Sequence, residues 1–510
     1  MEEKRSIDWT TLWKKDDWMS VWIGFLILII FLAGATFKLP SWVWMTDGAF
    51  NEKIPGYLKK VEVLQKDAEA KGESGVLSQL QALKGAIDGK DRKLIGDAAG
   101  NLEKAAKSVK DKDIGKKSEK LAKDLKKDAT STLSKVLSGA NLLQALYLLI
   151  GLWILGSIGM AFMGMSVGKF ALGFPIVYIL SAVSFFIAGN TTISYYGLEV
   201  VFWALIIGLL ISNTVGVPDW LKTAVKTEFF IKIGLVLLGA EVLFTTIAKV
   251  GAYSMVQSII VIFAVFYFCY WVAKKLGLDD EFASILGTAV SICGVSAAIA
   301  AGGAVKGDQK KVSHTISLVL LCAIPMLIFQ PLIAKAVGMS PAVAGAWIGG
   351  TIDTTGAVVA AGAIAGEAAM AVAVVVKMAQ NVLIGFVAFL LAIWFTFKGL
   401  KTGEKPSAME IWFRFPKFVV GFIIASIVFS FFMPEVTAKA VTGITGGLRG
   451  WWFTLAFLCI GLDTQFKELV SMGGGKPAAA FLIAQLFNIF WTLLFAWLIF
   501  GGVLFPVPKF

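Results

Sequence analysis

The chain has 510 residues, of which 57% are hydrophobic and only 16% charged, with a formal net charge of +12 and a mean hydropathy of +0.76. A soluble domain is roughly a quarter charged, so the composition excludes that class and implies an integral membrane protein. A backbone crosses hydrocarbon only as a helix or a closed barrel, and the apolar runs here have helical length, roughly 20 residues.

The first run, MSVWIGFLILIIFLAGATF from Met19 to Phe37, is longer than a signal-peptide core and has no small-residue cleavage site before LPSWVW. It predicts a retained span. Lys4, Arg5, Lys14 and Lys15 precede it, so the span starts in the cytoplasm.

Residues 47–137 differ in kind, with 20 Lys/Arg against 15 Asp/Glu. Apolar residues fall at helical spacing (Leu77, Leu80, Leu83, Ile87; Leu94, Ala98, Leu102, Ala105, Val109; Leu121, Leu125), punctuated by Gly72, Gly89 and Gly115. The pattern predicts a solvated helical hairpin outside the membrane. Mixed charge signs argue against nucleic acid as a partner. The orientation of the first span places this insert on the extracytoplasmic side.

Further spans are predicted near 141–163, 168–189, 198–215, 229–248, 252–273, 313–336, 368–397, 416–433, 441–463 and 477–499. The expected fold is therefore an all-α polytopic membrane helix bundle with inverted repeats. It has about 11 spans, two broken or re-entrant segments and a small helical insert, divided as 1–46, 47–137 and 138–510.

The broken segments announce themselves by an internal echo. Ile292–Gly302 (ICGVSAAIAAG) aligns with Ile352–Gly362 (IDTTGAVVAAG) without a gap, sharing Ile, three Ala and the closing Gly. A second echo, Gly239–Gly251 with Gly461–Gly473, repeats Gly, an acid, Phe and Gly. Together they suggest a duplicated, transporter-like core.

Charge then tests topology. With full crossings, Lys169, Lys222, Lys226, Lys274 and Lys275 lie inside, but Lys306, Lys310 and Lys311 fall outside. Two non-crossing segments, 281–304 and 343–366, entering from opposite sides, bring these lysines back inside. They also keep Lys398, Lys401, Lys405, Arg414, Lys417, Lys467 and Lys476 inside. Two broken helices that do cross are the rival geometry, at the cost of one violated loop.

Either geometry brings helix ends to mid-membrane. The N-terminus of a half-helix carries unpaired N–H groups and about half a positive charge, and small residues let a ligand approach the backbone. The candidate binding residues are Ser291, Cys293, Gly294 and Ser296 in the first segment, and Asp353, Thr354, Thr355 and Gly356 in the second. The bland alternative is that small residues only let helices pack closely. Lys377 lies about nine residues inside its apolar run, roughly 14 Å deep, too far to snorkel. It is expected to be a counter-charge to an anion or to Asp353, with Gln380 and Asn381 as hydrogen-bonding partners one turn on. Asp353 itself offers a coupling-proton carrier, a cation ligand or a partner for Lys377. Glu241, Asp463 and Glu199 sit near span ends, where a structural role is expected.

Enzyme chemistry is not expected. His314 has no second histidine near it, which leaves no metal site or Ser/His triad. Cys269, Cys293, Cys322 and Cys459 lack CxxC spacing and read as reduced packing residues, and no GxxxxGK(S/T) loop is present.

The ordered set of motifs, KIGLVLLG before Gly239, ICGVSA from Ile292, then WIGGTIDTTGAVVAAGAIAGEAAMAVAVVVKMAQN, resembles the YeiH-like sulfate exporter family over about 140–500. The resemblance implies a multi-pass secondary transporter of the bacterial inner membrane, related to bile-acid/sodium-symporter-like carriers, whose core moves against a scaffold. It implies sulfate or an organosulfonate as substrate, ahead of small carboxylates or bicarbonate. Members of that family often carry His and an acid where this chain has Ile352, Asp353 and Thr354, and a basic residue where it has Gln380; the insert is not a general feature. The expected partners are the lipid bilayer, a small anionic substrate and a second copy in a homodimer, with no cofactor beyond a coupling Na⁺ or H⁺. A channel-like or sensory membrane protein, with the insert receiving a partner or signal, is the second functional class.

Overall fold

The computed structural model describes residues 10–109, 111–195, 200–242, 244–305, 307–397, 416–467 and 475–508. Lys398, Lys401, Lys405, Arg414, Glu199 and Lys306 lie outside the described residues, as does the end of the second echo. Described secondary structure is helical, and no strand is present among the described residues. The residues form two compact units: one of Met1–Phe37, Gly151–Ser184 and Glu199–Phe510, the other of Lys38–Ile150 and Phe185–Leu198.

The second unit holds four charged helices, α2 (Asp47–Ala70), α3 (Ser74–Asp88), α4 (Arg92–Ala106) and α5 (Lys112–Thr130), where the sequence predicts a hairpin. Gly72, at φ +68, and Gly89 end helices, but Gly115 lies within α5, against the carbonyl of Ala106. The buried stripe of α4 runs through Ile95, Ala99, Leu102 and Ala106, leaving the expected core residue Leu94 56% exposed. Helical faces are about 100° per residue apart, so a stripe shifted by one position turns Leu94 outward. Arg92 ties the unit together: its guanidinium donates to the carbonyls of Met45, Asp128, Ala129 and Ser131 and to Asp47 Oδ1. The unit also takes in flanking chain beyond 47–137, because Asn141 bonds both backbone groups of Ser41 and Trp44 pairs with Gly189 and Thr191.

Helices α6 (Gly139–Phe162) and α7 (Val167–Ala188) begin the long apolar elements. In the first unit, α1 (Asp16–Leu32) begins ahead of the first predicted span and ends short of its predicted limit at Phe37. Then come α8 (Val200–Thr214), α9 (Thr227–Glu241) and α10 (Phe244–Lys275). The predicted gap at 249–251 is absent; the chain breaks instead at Val242, which is extended. Ser426 Oγ donates to the Val242 carbonyl (2.6 Å) and Ser430 Oγ accepts from Phe244 N (2.9 Å), so side-chain hydroxyls pair a backbone group on each side of the break.

The chain continues through α11 (Asp280–Ser291), α12 (Val295–Val305), α13 (Gln309–Ala336), α14 (Pro341–Thr351), α15 (Thr355–Ala365), α16 (Glu367–Val382) and α17 (Ile384–Phe397). It ends with α18 (Lys417–Ile427, extended by a π-turn, Val428–Phe432), α19 (Glu435–Asp463) and α20 (Gly475–Phe500). Six described helices are long and apolar enough to cross a membrane, and several shorter apolar helices accompany them. The chain is an all-α polytopic membrane protein.

Four of these helices pack reciprocally. A Cβ on Gly461 of α19 would lie 2.5 Å from the Leu205 carbonyl of α8, and one on Gly239 of α9 would lie 2.3 Å from the Phe422 carbonyl of α18. The first helix of each pair thus meets the second helix of the other. Both contacts use the glycine of the second sequence echo.

Candidate functional site

The two segments with the ICGVSAAIAAG-type echo are helical hairpins. Each arm has 11 or 12 residues, about 17 Å at 1.5 Å per residue, or half of a 30 Å hydrocarbon core. The breaks coincide at the alignment offset: Ser291 and Thr351 end the inward arms, Val295 and Thr355 begin the returning ones.

Their entry and exit points settle the geometry. Asp308 N, just after α12, donates to Glu281 Oε1 at the start of α11 (2.8 Å), and Lys311 pairs with Asp279 and Glu281 at 2.8 and 3.1 Å. The first hairpin therefore returns to the end it entered, with the re-entrant form that the lysine count favours. In the second, a Cβ on Gly345 or Gly349 of α14 would sit 2.4 or 2.5 Å from the carbonyls of Ala369 and Ala373 in α16, while Gly362 of α15 abuts Met370. Helix α15 thus comes back beside the start of α14, and α16 runs alongside α14. Helix α13, 28 residues or about 42 Å long, joins the exit of one hairpin to the entry of the other. They enter from opposite ends.

Local chemistry fixes each start and break. Asp279 caps α11 (Phe282 N to Oδ1, 2.7 Å), Ser340 caps α14 ahead of Pro341, and Asp308 caps α13. At the first break Gly294 has φ +57, a left-handed conformation that costs other residues about 1–2 kcal/mol. The second break has no such glycine. Thr351, Ile352, Thr354 and Thr355 are β-branched around Asp353, and Ile352 and Thr354 are extended, as crowding at Cβ favours.

The hairpin tips touch. The Gly294 Cβ position lies 2.9 Å from the Asp353 carbonyl and 3.2 Å from its Cβ. Inward arms end here with C-terminal carbonyls that have no helical partner, and buried side chains supply the donors. Lys377 Nζ donates to the Ile292 carbonyl (2.7 Å) and to Gln380 Oε1; Gln380 Nε2 donates to the Gly350 carbonyl (3.0 Å). Asn488 Nδ2 reaches the Val290 carbonyl (3.1 Å), and Gln485 Nε2 the Thr351 carbonyl (3.1 Å). An ammonium beyond a helix C-terminus also complements its negative end. The position of Lys377 is thereby explained: it closes the first inward arm. No ion pair of 4 Å or less joins it to Asp353 among the described residues.

The candidate residues divide by environment. Ser291, Cys293, Gly294, Asp353, Gly356, Lys377, Gln380 and Asn381 are buried around the tips. Thr354 caps α15 by accepting from Ala357 N, and Thr355 Oγ1 accepts from Asn381 Nδ2 (3.1 Å); both threonines are half-buried. Ser296, at the start of α12, is exposed on the face shared with Ile299, so it does not join the buried cluster. Gly356 faces Ile231 of α9 and Ile460 of α19.

The sequence reading missed Gln485, Asn488 and Thr492, although their signal was present: three polar residues at i, i+3 and i+7 on one face of an apolar helix. Thr492 Oγ1 donates to Asn488 Oδ1 (2.7 Å), orienting the amide toward the tips. Gln257 of α10, also missed, donates to the Ala346 carbonyl. Of the echoed acids, Glu241 pairs with Arg449 (3.0 Å) and Asp463 accepts from Thr227. All four cysteines are free and buried.

Two opposed re-entrant hairpins meeting inside a helical membrane domain define the class of protein. Within it, the chain belongs to the family described as Conserved hypothetical protein 698, whose profile matches residues 172–480. It is similar to the UPF0324 membrane protein RB9488 of Rhodopirellula baltica, 42% identical over 67% of this chain and 65% of that protein. A UPF0324 membrane protein of Nitratidesulfovibrio vulgaris is 40% identical over 73% of this chain and 66% of its own length. The UPF0324 inner membrane protein YeiH of Escherichia coli K12 is 25% identical over 65% of this chain and 91% of that protein. The chain thus spans just under two thirds of the length of the first two relatives. No solved structure matches.

Proposed function

We propose that this protein is a secondary transporter of a small anion, working by alternating access with an elevator-like movement of the hairpin core; it is not an enzyme. The observation that carries this reading is the contact between opposed hairpin tips. It brings the N-termini of α12 and α15 together at the hairpin tips, and the N–H groups and dipole of a helix N-terminus attract negative charge. The Lys377 ammonium lies one hydrogen bond behind, at the Ile292 carbonyl. The half-buried hydroxyls of Thr354 and Thr355 beside these N-termini suit a compact oxyanion, and sulfate or an organosulfonate is the favoured class. The name of the Escherichia coli relative and the orientation of the first span support a bacterial inner-membrane location with residues 47–137 outside the cytoplasm.

The test is flux into proteoliposomes of radiolabelled sulfate, taurine and small carboxylates, with and without ion gradients. Saturable uptake of one anion class, lost in Thr355→Ala, is expected. Conductance without saturation, or no flux of any anion, removes the reading.

A further inference from the structure

We propose that Arg449 is a positioning residue, which fastens the second hairpin to α9 and α19 through Glu367 and releases it without itself becoming an unpaired charge. This role rests on the reading above, that the hairpins move during transport. Arg449 is 8% exposed at the middle of α19 (Glu435–Asp463), and a buried cation in a membrane helix needs a counter-charge. It has two. Its Nε lies 3.0 Å from Glu241 Oε1 at the end of α9, and its Nη2 donates to Glu367 Oε1 at the start of α16 (3.4 Å). Its Cζ also lies 5.9 Å from the centre of the Phe453 ring, one turn further along α19.

Chain register places these charges at one level. A Cβ on Gly356, at the tip end of α15, would lie 2.8 Å from Ile231 of α9 and 3.3 Å from Ile460 of α19. From that contact Glu241 lies ten residues on, Arg449 eleven residues back and Glu367 eleven residues on, each about 15–17 Å along a helix. Helices α9, α15 and α19 thus run side by side from the tip to the end where the second hairpin enters, and Arg449 closes that end. The two carboxylates differ in kind. Glu241 belongs with Arg449, because a Cβ on Gly234 of α9 would lie 2.4 Å from Phe453 and one on Gly446 of α19 would lie 3.3 Å from Glu241 Oε1. Its side chain is 21% exposed, and that of Glu367 is 89% exposed. An exposed ion pair is worth little, and a freed Glu367 is solvated in the first turn of α16, where the helix dipole favours a carboxylate. Glu241 stays beside Arg449 throughout, so release leaves no buried charge without a partner.

The test uses the full-length purified protein and begins with hydrogen exchange over residues 361–370. In Glu367→Gln these amides should exchange about threefold faster, the range of an exposed ion pair. Arg449→Lys keeps a counter-charge for Glu241 but loses the fork that grips two carboxylates. It should match Glu367→Gln, and the double variant should be no faster than either. Salt at about 1 M should speed exchange in wild type and not in Glu367→Gln, because the outer pair is screened; this comparison decides should Arg449→Lys not fold. In flux measurements Glu367→Gln should raise the maximal rate about twofold or more at an unchanged half-saturating concentration, since neither group touches the anion. Exchange as slow in Glu367→Gln as in wild type, wild-type exchange indifferent to salt, or additive effects in the double variant overturns the proposal. So does an unchanged maximal rate, or a half-saturating concentration that moves in its place. Faster exchange in Glu367→Gln without anion flux by wild type keeps the fastening and removes the anion reading; flux by wild type with unchanged exchange in the variant does the reverse.

Discussion

Gly294→Ala tests the tip contact most directly. At φ +57 the substitution incurs about 1–2 kcal/mol of backbone strain. Its new methyl would also lie 2.3 Å from Val319 Cγ1 and 2.9 Å from the Asp353 carbonyl, and overpacking of that kind costs about 1–3 kcal/mol. The sum is about 2–5 kcal/mol. Gly338→Ala supplies the control, because Gly338 has φ +66 but nothing within 4 Å of its Cβ position. It should lose only the backbone share. The assay is the midpoint of unfolding for both variants in one detergent, followed by flux for any that fold. Gly294→Ala should melt below Gly338→Ala and lose flux, because relief of the clash moves the second tip. Equal midpoints, or a Gly294→Ala protein with wild-type flux, would refute the argument that the tips are held in van der Waals contact.

Lys377→Met should lower the unfolding midpoint, because the Ile292 carbonyl and Gln380 Oε1 each lose a donor, at about 1–3 kcal/mol per buried acceptor; an unchanged midpoint would show that Lys377 does not close α11. Arg92→Ala should cost about 3 kcal/mol or more, the range of lost charge-assisted bonds. Hydrogen exchange over residues 45–131 of the full chain should report that loss as faster exchange in α4 and at the end of α5. Asp111 caps α5, and the hydrogen bond from Lys71 first, then the amides of Ile114 and Asp113, hold its carboxyl below the usual carboxylate range. A lowered folded value means that its stabilisation is complete above the ordinary carboxylate range and is lost as pH falls through the folded value. Amide protection in the first turn of α5 should therefore decline in acid, and Asp111→Asn should flatten that dependence.

The membrane class, the helical fold and the location of both hairpin breaks were legible in the sequence, because each rests on short-range physics. Apolar run length sets spans, capping residues set starts, and a glycine or a β-branched cluster sets a break. The echo of Ile292–Gly302 in Ile352–Gly362 gave the breaks in register, and the lysines near 306–311 chose re-entry over crossing. Local pattern failed where two registers were nearly equivalent, as at Leu94 against Ile95, or where a distant hydroxyl satisfied a broken backbone, as Ser426 does at Val242.

What only the tertiary structure decided is how the pieces use one another. The sequence showed Lys377 to be deep, and depth made it a counter-charge candidate; folding supplied an unsatisfied helix end at Ile292, 85 residues away in the chain, which takes its proton donor. Likewise the polar stripe of Gln485, Asn488 and Thr492 acquires meaning only when α20 lies against both tips. Hydrogen-bond demand in hydrocarbon is local, but its supply comes from wherever packing brings a donor. Composition and periodicity carry the first and not the second.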